Sequence, residues 1–295
     1  MSESIGVVIV THNGERYLPE QVRSILTQSL VPALIVLVDD QSQDSSVSTV
    51  RQLVAESGIE LRVVQAPPAP GIELFTRIAA NFELGLREIV HCRFVAFSDQ
   101  DDVWEPHRLA HQSERLVATG AAVTVGDGML IDESGQLLNS TLRENFPVLD
   151  NWDSASPLAR FRSVIRSPMA TGAAMMIEMA SVATTLPVPP GWLHDRWLSL
   201  FAASRNALDV DDEMVVRYRI SDGQTVGVNT AVDKSPVARI GSTLVQPLVA
   251  VRKMHHLTRR LRPLATDESI RRQLTFARMA HLYLMPGRVA ANSLG

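Results

Sequence analysis

Residues 5–13 read Ile-Gly-Val-Val-Ile-Val-Thr-His-Asn, an apolar run that stops at three polar residues. A continuous β-branched run is typical of a strand that is buried on both faces of a parallel sheet. The same pattern returns at residues 33–40 (ALIVLVDD) and at residues 94–102 (FVAFSDQDD). Residues with apolar helical spacing lie between these runs. The sequence therefore predicts alternating strands and helices, an α/β fold with a mostly parallel central sheet.

Polar side chains follow each of these apolar runs, where the strand should end. The carboxyl ends of parallel strands lie at one edge of the sheet, and α/β proteins bind ligands beyond that edge. We therefore expect one site built from the strand-end residues Thr11, His12, Asn13, Asp39, Asp40, Asp99, Asp101 and Asp102.

Three carboxylates, Asp99, Asp101 and Asp102, lie within four residues of each other. Such groups repel one another unless a cation or protons offset their charge. Mg²⁺ or Mn²⁺ prefers oxygen ligands and completes its shell with water and substrate phosphates. The alternative is a solvated acidic loop. Because the cluster follows a predicted buried strand, its position favours metal-assisted phosphate binding.

Asp39 and Asp40 allow two interpretations. One carboxylate can accept hydrogen bonds from a nucleoside base or ribose, as acids after early strands do in dinucleotide folds. Both can equally satisfy backbone amides in a turn before a helix. The chain contains neither G-x-G-x-x-G nor G-x-x-x-x-G-K-S/T, which argues against nicotinamide dinucleotides and P-loop nucleotide binding.

The composition is that of an ordinary folded protein: 295 residues, 45% hydrophobic and 20% charged. The single cysteine, Cys92, excludes a disulfide framework and a cysteine-built zinc site. We find no export signal at the first residues and no apolar run of the ~20 residues that a membrane span needs. We therefore expect a soluble, cytoplasmic protein.

Charge is distributed unevenly along the chain. Residues 251–295 contain nine Arg and Lys against two acids, whereas the other 250 residues contain 19 bases against 30 acids. Amphipathic helices in this basic tail can attach to the inner face of an anionic membrane. The tail can equally pack on an acidic patch of the body or on a second subunit, and we do not expect it to bind nucleic acid. The bases in question include Arg259, Arg260, Arg271 and Arg272.

A set of motifs follows one another between about residues 5 and 230. They are VVIVTHNGERYLPEQVRSIL at 7–26, LVDDQSQD at 37–44, Asn81-Phe82, SDQDDVW at 98–104, Thr171-Gly172, residues 194–197 (HDRW) and residues 211–227. In this order they resemble the motifs of glycosyltransferase family 2, and more narrowly its bacterial rhamnosyltransferase-like branch, which has the GT-A fold. The branch's SDQDDVW is present letter for letter.

The resemblance implies an organisation into a GT-A domain, residues 1–230, and a basic helical extension, residues 231–295. Within the domain, residues up to about 120 are expected to bind the nucleotide sugar. The remainder, about 121–230, is expected to bind the acceptor.

The resemblance also implies roles for single residues. Asp101 and Asp99 fill the D-x-D positions and would bind Mg²⁺ or Mn²⁺, with Asp101 the direct contact. Asp195 fills the position of the catalytic base, although the pattern DRWLSLFAA also allows it to be a helix N-cap. Donor binding is assigned to Thr11, Asn13, Asp39, Asp40, Asn81, Asp99 and Arg219.

A further set of residues is assigned either to the acceptor or to the support of catalytic groups. Trp192 and Trp197 can stack on an acceptor sugar or can be core aromatic residues. His194 can orient its neighbour or can be a polar residue at a helix start. The residues assigned to the acceptor or to the support of catalytic groups are Asp102, Trp104, His194, Trp197 and Asp222.

One position departs from the family pattern. The family often has Tyr-Arg-x-His-Gly after the last strand, whereas residues 218–223 here read Tyr-Arg-Ile-Ser-Asp-Gly. Ser221 therefore replaces a histidine that can reach the metal or the diphosphate, and Asp222 can substitute for it. This departure concerns metal affinity more than donor binding.

The resemblance implies an inverting, metal-dependent glycosyltransferase that moves a sugar such as rhamnose from a nucleotide-diphosphate donor. The acceptor would be a polysaccharide, a glycolipid or a small metabolite. A UDP- or GDP-hexose donor is a second interpretation. A third is a non-catalytic nucleotide-sugar-binding or scaffold protein of the same fold, which only the Ser221 departure favours.

Overall fold

A computed structural model describes residues 4–167, 171–221 and 251–279 of the chain. In its first part, strands and helices alternate as the apolar pattern predicts. The elements are β1 Ile5–Thr11, α1 Leu18–Leu26, β2 Leu34–Asp39, α2 Ser46–Ala55, β3 Glu60–Gln65, α3 Leu74–Glu88 and β4 Phe94–Ser98.

The second part is less regular and contains short helices and antiparallel strands. Its elements are β5 Val103–Trp104, α4 Arg108–Thr119, β6 Val123–Ile131, β7 Leu137–Thr141, α5 Leu142–Asn145, α6 Pro157–Arg166, β8 Met175–Glu178, α7 Met179–Val182, α8 His194–Ser204 and β9 Leu208–Arg219. Single 3₁₀ turns occur at Trp152–Ser154, Gly172–Ala174 and Ala183–Thr185.

All the strands named above belong to one sheet, in the order β3-β2-β1-β4-β8-β6-β9-β5, with β7 paired to β6. The first four strands are parallel, and β6 is parallel to β9. Strand β8 is antiparallel to both of its neighbours and joins the two parallel regions. The predicted α/β fold, with a mostly parallel sheet flanked by helices, is confirmed.

Two strands of the second part are longer than the sequence predicts. The apolar pattern predicts strands at 121–125 and 213–218, whereas β6 and β9 extend well beyond these bounds. In β6 the apolar run is interrupted by Gly126 and Gly128, which weakens the pattern. Both glycines are required by close packing, because a Cβ at Gly128 would lie 2.6 Å from Val216 of β9.

The sheet separates two apolar cores. Val8 and Phe97 point to one core, which contains residues of α3, α6 and α8. Val7 and Ile9 point to the other, which contains residues of α1, α2 and α4. Burial on both faces explains why the central strands have continuous rather than alternating apolar sequences.

The described part of the basic tail packs on the first of these cores. Residues 251–256 are helical, a π-helical turn follows at Leu257–Leu261, and α9 spans Glu268–Gln273. Leu257, Leu261 and Ile270 are fully buried in the core that also contains Trp197. The described contact with the body is therefore largely apolar, and packing of the tail's bases on an acidic patch stays a prediction. Within the described ranges, no helix is long and apolar enough to cross a membrane.

We predict that the tail is needed for stability. Leu261→Ala should lower the free energy of unfolding by about 2–5 kcal/mol, because it leaves a cavity in the core that contains Trp197. Phe276→Ala, at a half-exposed position of the same segment, is the matched control and should change it by less than about 1 kcal/mol. Urea denaturation measures both. Equal, small effects would show that the tail is not part of the core.

Candidate active site

A cleft of about 680 Å³ opens at the carboxyl ends of β1, β2 and β4. Its walls come from these strand ends, from α3, from the start of α8 and from the tail. The sequence-predicted residues that line it are Thr11, Asn13, Asp40, Asn81, Asp99, Asp101, His194 and Asp195. Residues from distant parts of the chain are thus brought together as expected.

The loops after β1 and β4 are joined through Gln100, which sequence reasoning did not select. Its Oε1 accepts hydrogen bonds from the Thr11 hydroxyl, at 2.8 Å, and from the His12 backbone N–H, at 2.9 Å. Asp40 lies beside them and forms a 2.7 Å ion pair with Arg77 of α3. Gln100 belongs to the SDQDDVW motif, and that is the signal that could have identified it.

Asp39 lies behind the cleft and does not line it, contrary to the prediction that it contacts the donor. Its Oδ2 accepts a hydrogen bond from the Gln65 side chain, at 2.9 Å, and the Ser42 backbone N–H lies 3.3 Å from both carboxylate oxygens. The carboxylate therefore fixes the turn after β2. Of the two acids at this strand end, only Asp40 faces the cleft.

The three carboxylates after β4 have different surroundings. Asp99 and Asp101 line the cleft. Burial, followed by the charges of Asp101 and Asp195, raises the pKa of Asp99 to about 7. Burial also raises the pKa of Asp101. Asp99 and Asp101 are therefore carboxylates whose charge is incompletely compensated by the protein.

Asp102 is buried behind the cleft, so of its two assigned roles its position fits support of the catalytic groups and not contact with the acceptor. Its Oδ1 accepts the backbone N–H of Arg219, at 3.1 Å, whereas its Oδ2 has no hydrogen-bond partner among the described residues. Burial, with the charges of Asp101 and Asp99, raises its pKa well above the usual range.

A buried guanidinium lies near these acids. Arg108 is fully buried, and its Nη2 donates to the carbonyl oxygens of Phe97 and Met175 at 3.2 and 3.3 Å. Burial lowers its pKa to about 9, while the charges of Asp102 and Asp99 act in the opposite direction. Trp104 stacks on Arg108, with 3.8 Å between the guanidinium carbon and the ring centroid. Trp104 is therefore packed inside the protein and does not reach an acceptor.

Arg219 does not contact the cleft, contrary to its assignment as a diphosphate ligand. Its Nε donates to the carbonyl oxygen of Asp101 at 2.7 Å, and its Nη1 donates to those of Asp132 and Glu133. Its Nη2 pairs with Glu20 at 2.7 Å. All three guanidinium nitrogens are thus bonded within the protein, and Arg219 positions the backbone of the acidic loop.

We predict that Arg219→Gln lowers the free energy of unfolding by about 2–4 kcal/mol, because it removes a buried guanidinium that donates to three backbone carbonyl oxygens. Arg217→Gln is a matched control on the same strand. Arg217 pairs with Glu105 but is half exposed, so this change should cost less than about 1 kcal/mol. Urea denaturation compares the two variants. Equal losses would contradict the positioning role of Arg219.

Asp195 lies in the first turn of α8, with its carboxylate on the cleft wall. Leu193 occupies the N-cap position, so the N-cap alternative for Asp195 is wrong. Its Oδ2 accepts the Gly172 backbone N–H at 3.0 Å, and its Oδ1 accepts the Arg196 backbone N–H at 2.5 Å. Two backbone donors therefore fix the orientation of the carboxylate.

The two tryptophans near α8 have different positions. Trp197 is fully buried and donates from Nε1 to the carbonyl oxygen of Thr185 at 3.1 Å, so it is a core residue and does not stack on a ligand. Trp192 is also buried but lines the cleft. The Nζ of Lys253 lies 4.9 Å from its ring centroid, and burial lowers the pKa of that lysine. Sequence reasoning missed Lys253 because it treated the tail as separate from the site.

Ser221 lines the cleft at the position where the family has histidine. Asp222 lies outside the described residues. In the part of the chain that the structure describes, no three His, Cys, Asp or Glu side chains come close enough together to hold a metal ion. A cation at Asp99 and Asp101 would thus need further oxygen ligands from a substrate or from water.

The mostly parallel α/β sheet, with a cleft at the carboxyl ends of its strands, fits the class of GT-A glycosyltransferases. Residues 6–183 match the model of "Glycosyl transferase family 2". The chain belongs to glycosyltransferase family 2, and the resemblance noted from the motifs is confirmed.

Two curated relatives are similar to this chain. The dTDP-rhamnosyl transferase RfbG of Shigella flexneri is 22% identical over 236 residues, which are 79% of this chain and 78% of that protein. The uncharacterized glycosyltransferase alr2836 of Nostoc sp. is 35% identical over 106 residues, which are 36% of this chain and only 30% of that protein.

Solved structures show the same fold. TarS 1–349 of S. aureus, in complex with UDP-GlcNAc, has a TM-score of 0.61 and 18% identity, and the match covers 96% of this chain and 73% of that one. The mannosyltransferase PcManGT from Pyrobaculum calidifontis, in complex with GDP-Man and Mn²⁺, has a TM-score of 0.51 and 15% identity, with 94% and 70% covered.

Proposed function

We propose that this glycosyltransferase transfers a sugar from a nucleotide-diphosphate donor to an acceptor hydroxyl with inversion of the anomeric carbon. One observation supports this most strongly: Asp195 and the pair Asp99 and Asp101 line one cleft, close enough that the charge of Asp195 raises the pKa of Asp99. An inverting transfer needs one base and, separately, groups that bind the leaving diphosphate.

In the proposed reaction, Asp195 accepts the proton of the acceptor hydroxyl while the hydroxyl oxygen attacks the anomeric carbon. The bond between that carbon and the diphosphate oxygen breaks on the opposite face, and the diphosphate leaves with the electron pair. The backbone N–H groups of Gly172 and Arg196 hold the carboxylate in one orientation. Such fixed orientation is a recognised source of rate acceleration.

Asp101 and Asp99 are the residues that would bind a divalent cation, and they fit one because both face the cleft with incompletely compensated charge. When bound, Mg²⁺ or Mn²⁺ supplies a positive charge that offsets the negative charge of the leaving diphosphate. Among the described residues no third carboxylate comes close enough to complete such a site, so donor oxygens and water would fill the coordination shell. The Mn²⁺ complex of the mannosyltransferase PcManGT, which has a similar fold, supports the proposal.

For the donor, the similarity to a dTDP-rhamnosyl transferase supports dTDP-rhamnose. A UDP- or GDP-hexose is the alternative, in line with the ligands of TarS and PcManGT. The nucleoside would lie near Thr11, Asn13 and Asp40, which line the cleft together beside α3.

The acceptor would enter on the side of Trp192 and Lys253, next to Asp195. A glycan, a glycolipid or a small metabolite remains the proposed acceptor, in polysaccharide biosynthesis or a related pathway. Contact of the basic tail with an anionic membrane surface, or with a second subunit in a homodimer, stays a prediction.

A binding panel tests the proposal. Thermal shift and calorimetry with dTDP-rhamnose, UDP-GlcNAc, GDP-mannose and the three matching nucleoside diphosphates, each with and without Mn²⁺, should find one nucleotide whose binding is strengthened by Mn²⁺. At 100 times its Kd, that ligand should stabilise the fold by about 2.7 kcal/mol. If no member of the panel binds under either condition, the proposed function is wrong.

A further inference from the structure

His194 is a buried side chain whose two ring nitrogen atoms, Nδ1 and Nε2, have no hydrogen-bond partner among the described residues. The residue is only 4% exposed, yet it lines the cleft. Buried polar atoms in folded proteins are almost always hydrogen-bonded, so two such atoms on one ring need a physical reason. A ligand that enters the cleft can supply the missing partners.

The surroundings of the ring determine its chemical state. It stacks on Phe82, with 3.8 Å between ring centroids, and meets the edge of Phe97 at 4.9 Å. Burial lowers the pKa of His194 to about 4, although the charge of Asp195 acts against the shift. The imidazole is therefore neutral near pH 7, with one nitrogen that donates and one that accepts. A sugar hydroxyl, which also donates and accepts, matches this pair of atoms better than a phosphate does.

The backbone of Gly172 leaves room for this ring. A Cβ added at Gly172 would lie 2.6 Å from Nε2 of His194, closer than real Cβ contacts allow. The same glycine donates its N–H to Asp195. The ring and the base carboxylate are thus placed against one short turn.

A second unpartnered group lies on the neighbouring wall. Nδ2 of Asn81 is buried and has no hydrogen-bond partner in the described part of the chain, and Asn81 also lines the cleft. It directly precedes Phe82, on which the His194 ring stacks. Phe97, which contacts the ring by its edge, lies two residues before Asp99. The two polar groups therefore line the same cleft as Asp99.

We propose that His194, together with Asn81, forms a subsite that hydrogen-bonds hydroxyl groups of the donor's sugar ring. The inference rests on the proposed function, because it takes the sugar attached to the diphosphate as the ligand. The sugar is the part of the donor that follows the diphosphate, and both side chains line the cleft that also contains Asp99 and Asp195. Phe82 and Phe97 surround the ring with apolar contacts and so restrict its mobility.

The test compares a nucleotide sugar with its own nucleoside diphosphate, using the pair that the binding panel selects. His194→Phe keeps an aromatic ring on Phe82 but removes both hydrogen-bonding atoms. It should weaken the binding of the nucleotide sugar at least tenfold and change the binding of the diphosphate less than twofold. His194→Gln keeps a donor and an acceptor, so it should recover part of the nucleotide-sugar affinity that His194→Phe loses. His107→Phe, at an exposed position outside the cleft, is the control.

Equal weakening of both ligands by His194→Phe would show that the ring only shapes the cleft, and unchanged binding of both would show that it contacts no sugar. Either result overturns the proposal without affecting the proposed function.

If the wild-type protein binds no pair of the panel, the proposed function has failed. The role of His194 is then tested by the melting temperature of its variants. Without ligand, His194→Phe, or the smaller His194→Leu if the first does not fold, should raise the melting temperature, because unpartnered polar atoms are removed. A lower melting temperature for the variant that folds would overturn the proposal.

Discussion

Asp195→Asn is expected to lower kcat for sugar transfer about 10²–10⁴-fold, which is the range that a positioned general base contributes. The amide cannot take a proton from the acceptor hydroxyl, although it fills the same space. Donor affinity should change less than twofold, because the cation that would bind the diphosphate is assigned to Asp99 and Asp101. The rate is measured as release of the nucleoside diphosphate while the sugar is transferred to an acceptor or, in its absence, to water.

The structure also predicts a modest cost in stability for this variant. Asp195 accepts one N–H from Gly172 and another from Arg196. Asparagine has a single acceptor oxygen, so one of these donors loses its partner, at about 1–2 kcal/mol. Asp212→Asn, at an almost fully exposed position, is the control and should change neither rate nor stability. If Asp195→Asn transfers sugar at the wild-type rate, Asp195 is not the base.

Continuous apolar runs made the parallel half of the fold predictable, because a strand buried on both faces has no polar positions to obscure it. Val7 and Val8 are both fully buried although they face different cores. The second half was harder to predict. In β6, Gly126 and Gly128 interrupt the apolar run, and the sequence does not show that close packing on β9 requires them. Contacts between distant strands decide such segments, and a local pattern does not contain them.

The candidate site was predictable in position but less so in the direction of its side chains. Strand-end location was enough to bring Thr11, Asp99 and Asp101 to one cleft. It could not show that Arg219 turns away to bond three backbone carbonyl oxygens, or that Asp39 turns to Gln65. Those orientations depend on partners that lie up to 199 residues away in the chain.

Asp101→Asn is expected to remove the Mn²⁺-dependent part of donor binding. In the wild-type protein the ratio of donor Kd values without and with Mn²⁺ should be at least about tenfold, and in the variant it should fall to about one. The amide is a much weaker ligand for a hard cation than a carboxylate is. The backbone carbonyl of Asp101, which accepts from Arg219, is unchanged, so the loop should keep its position.

Asp102→Asn provides a matched control one residue away. Its side chain is buried behind the cleft, and an asparagine oxygen can still accept the backbone N–H of Arg219. Burial raises the pKa of Asp102 well above its usual range, so a neutral amide suits the surroundings of this side chain. The ratio of donor Kd values without and with Mn²⁺ should therefore stay, in Asp102→Asn, within twofold of the wild-type value.

Calorimetric titration of the donor with and without Mn²⁺ measures this ratio for both variants. An equal loss in the two, or a wild-type Mn²⁺ response in Asp101→Asn, would exclude Asp101 as the specific metal ligand of this cleft.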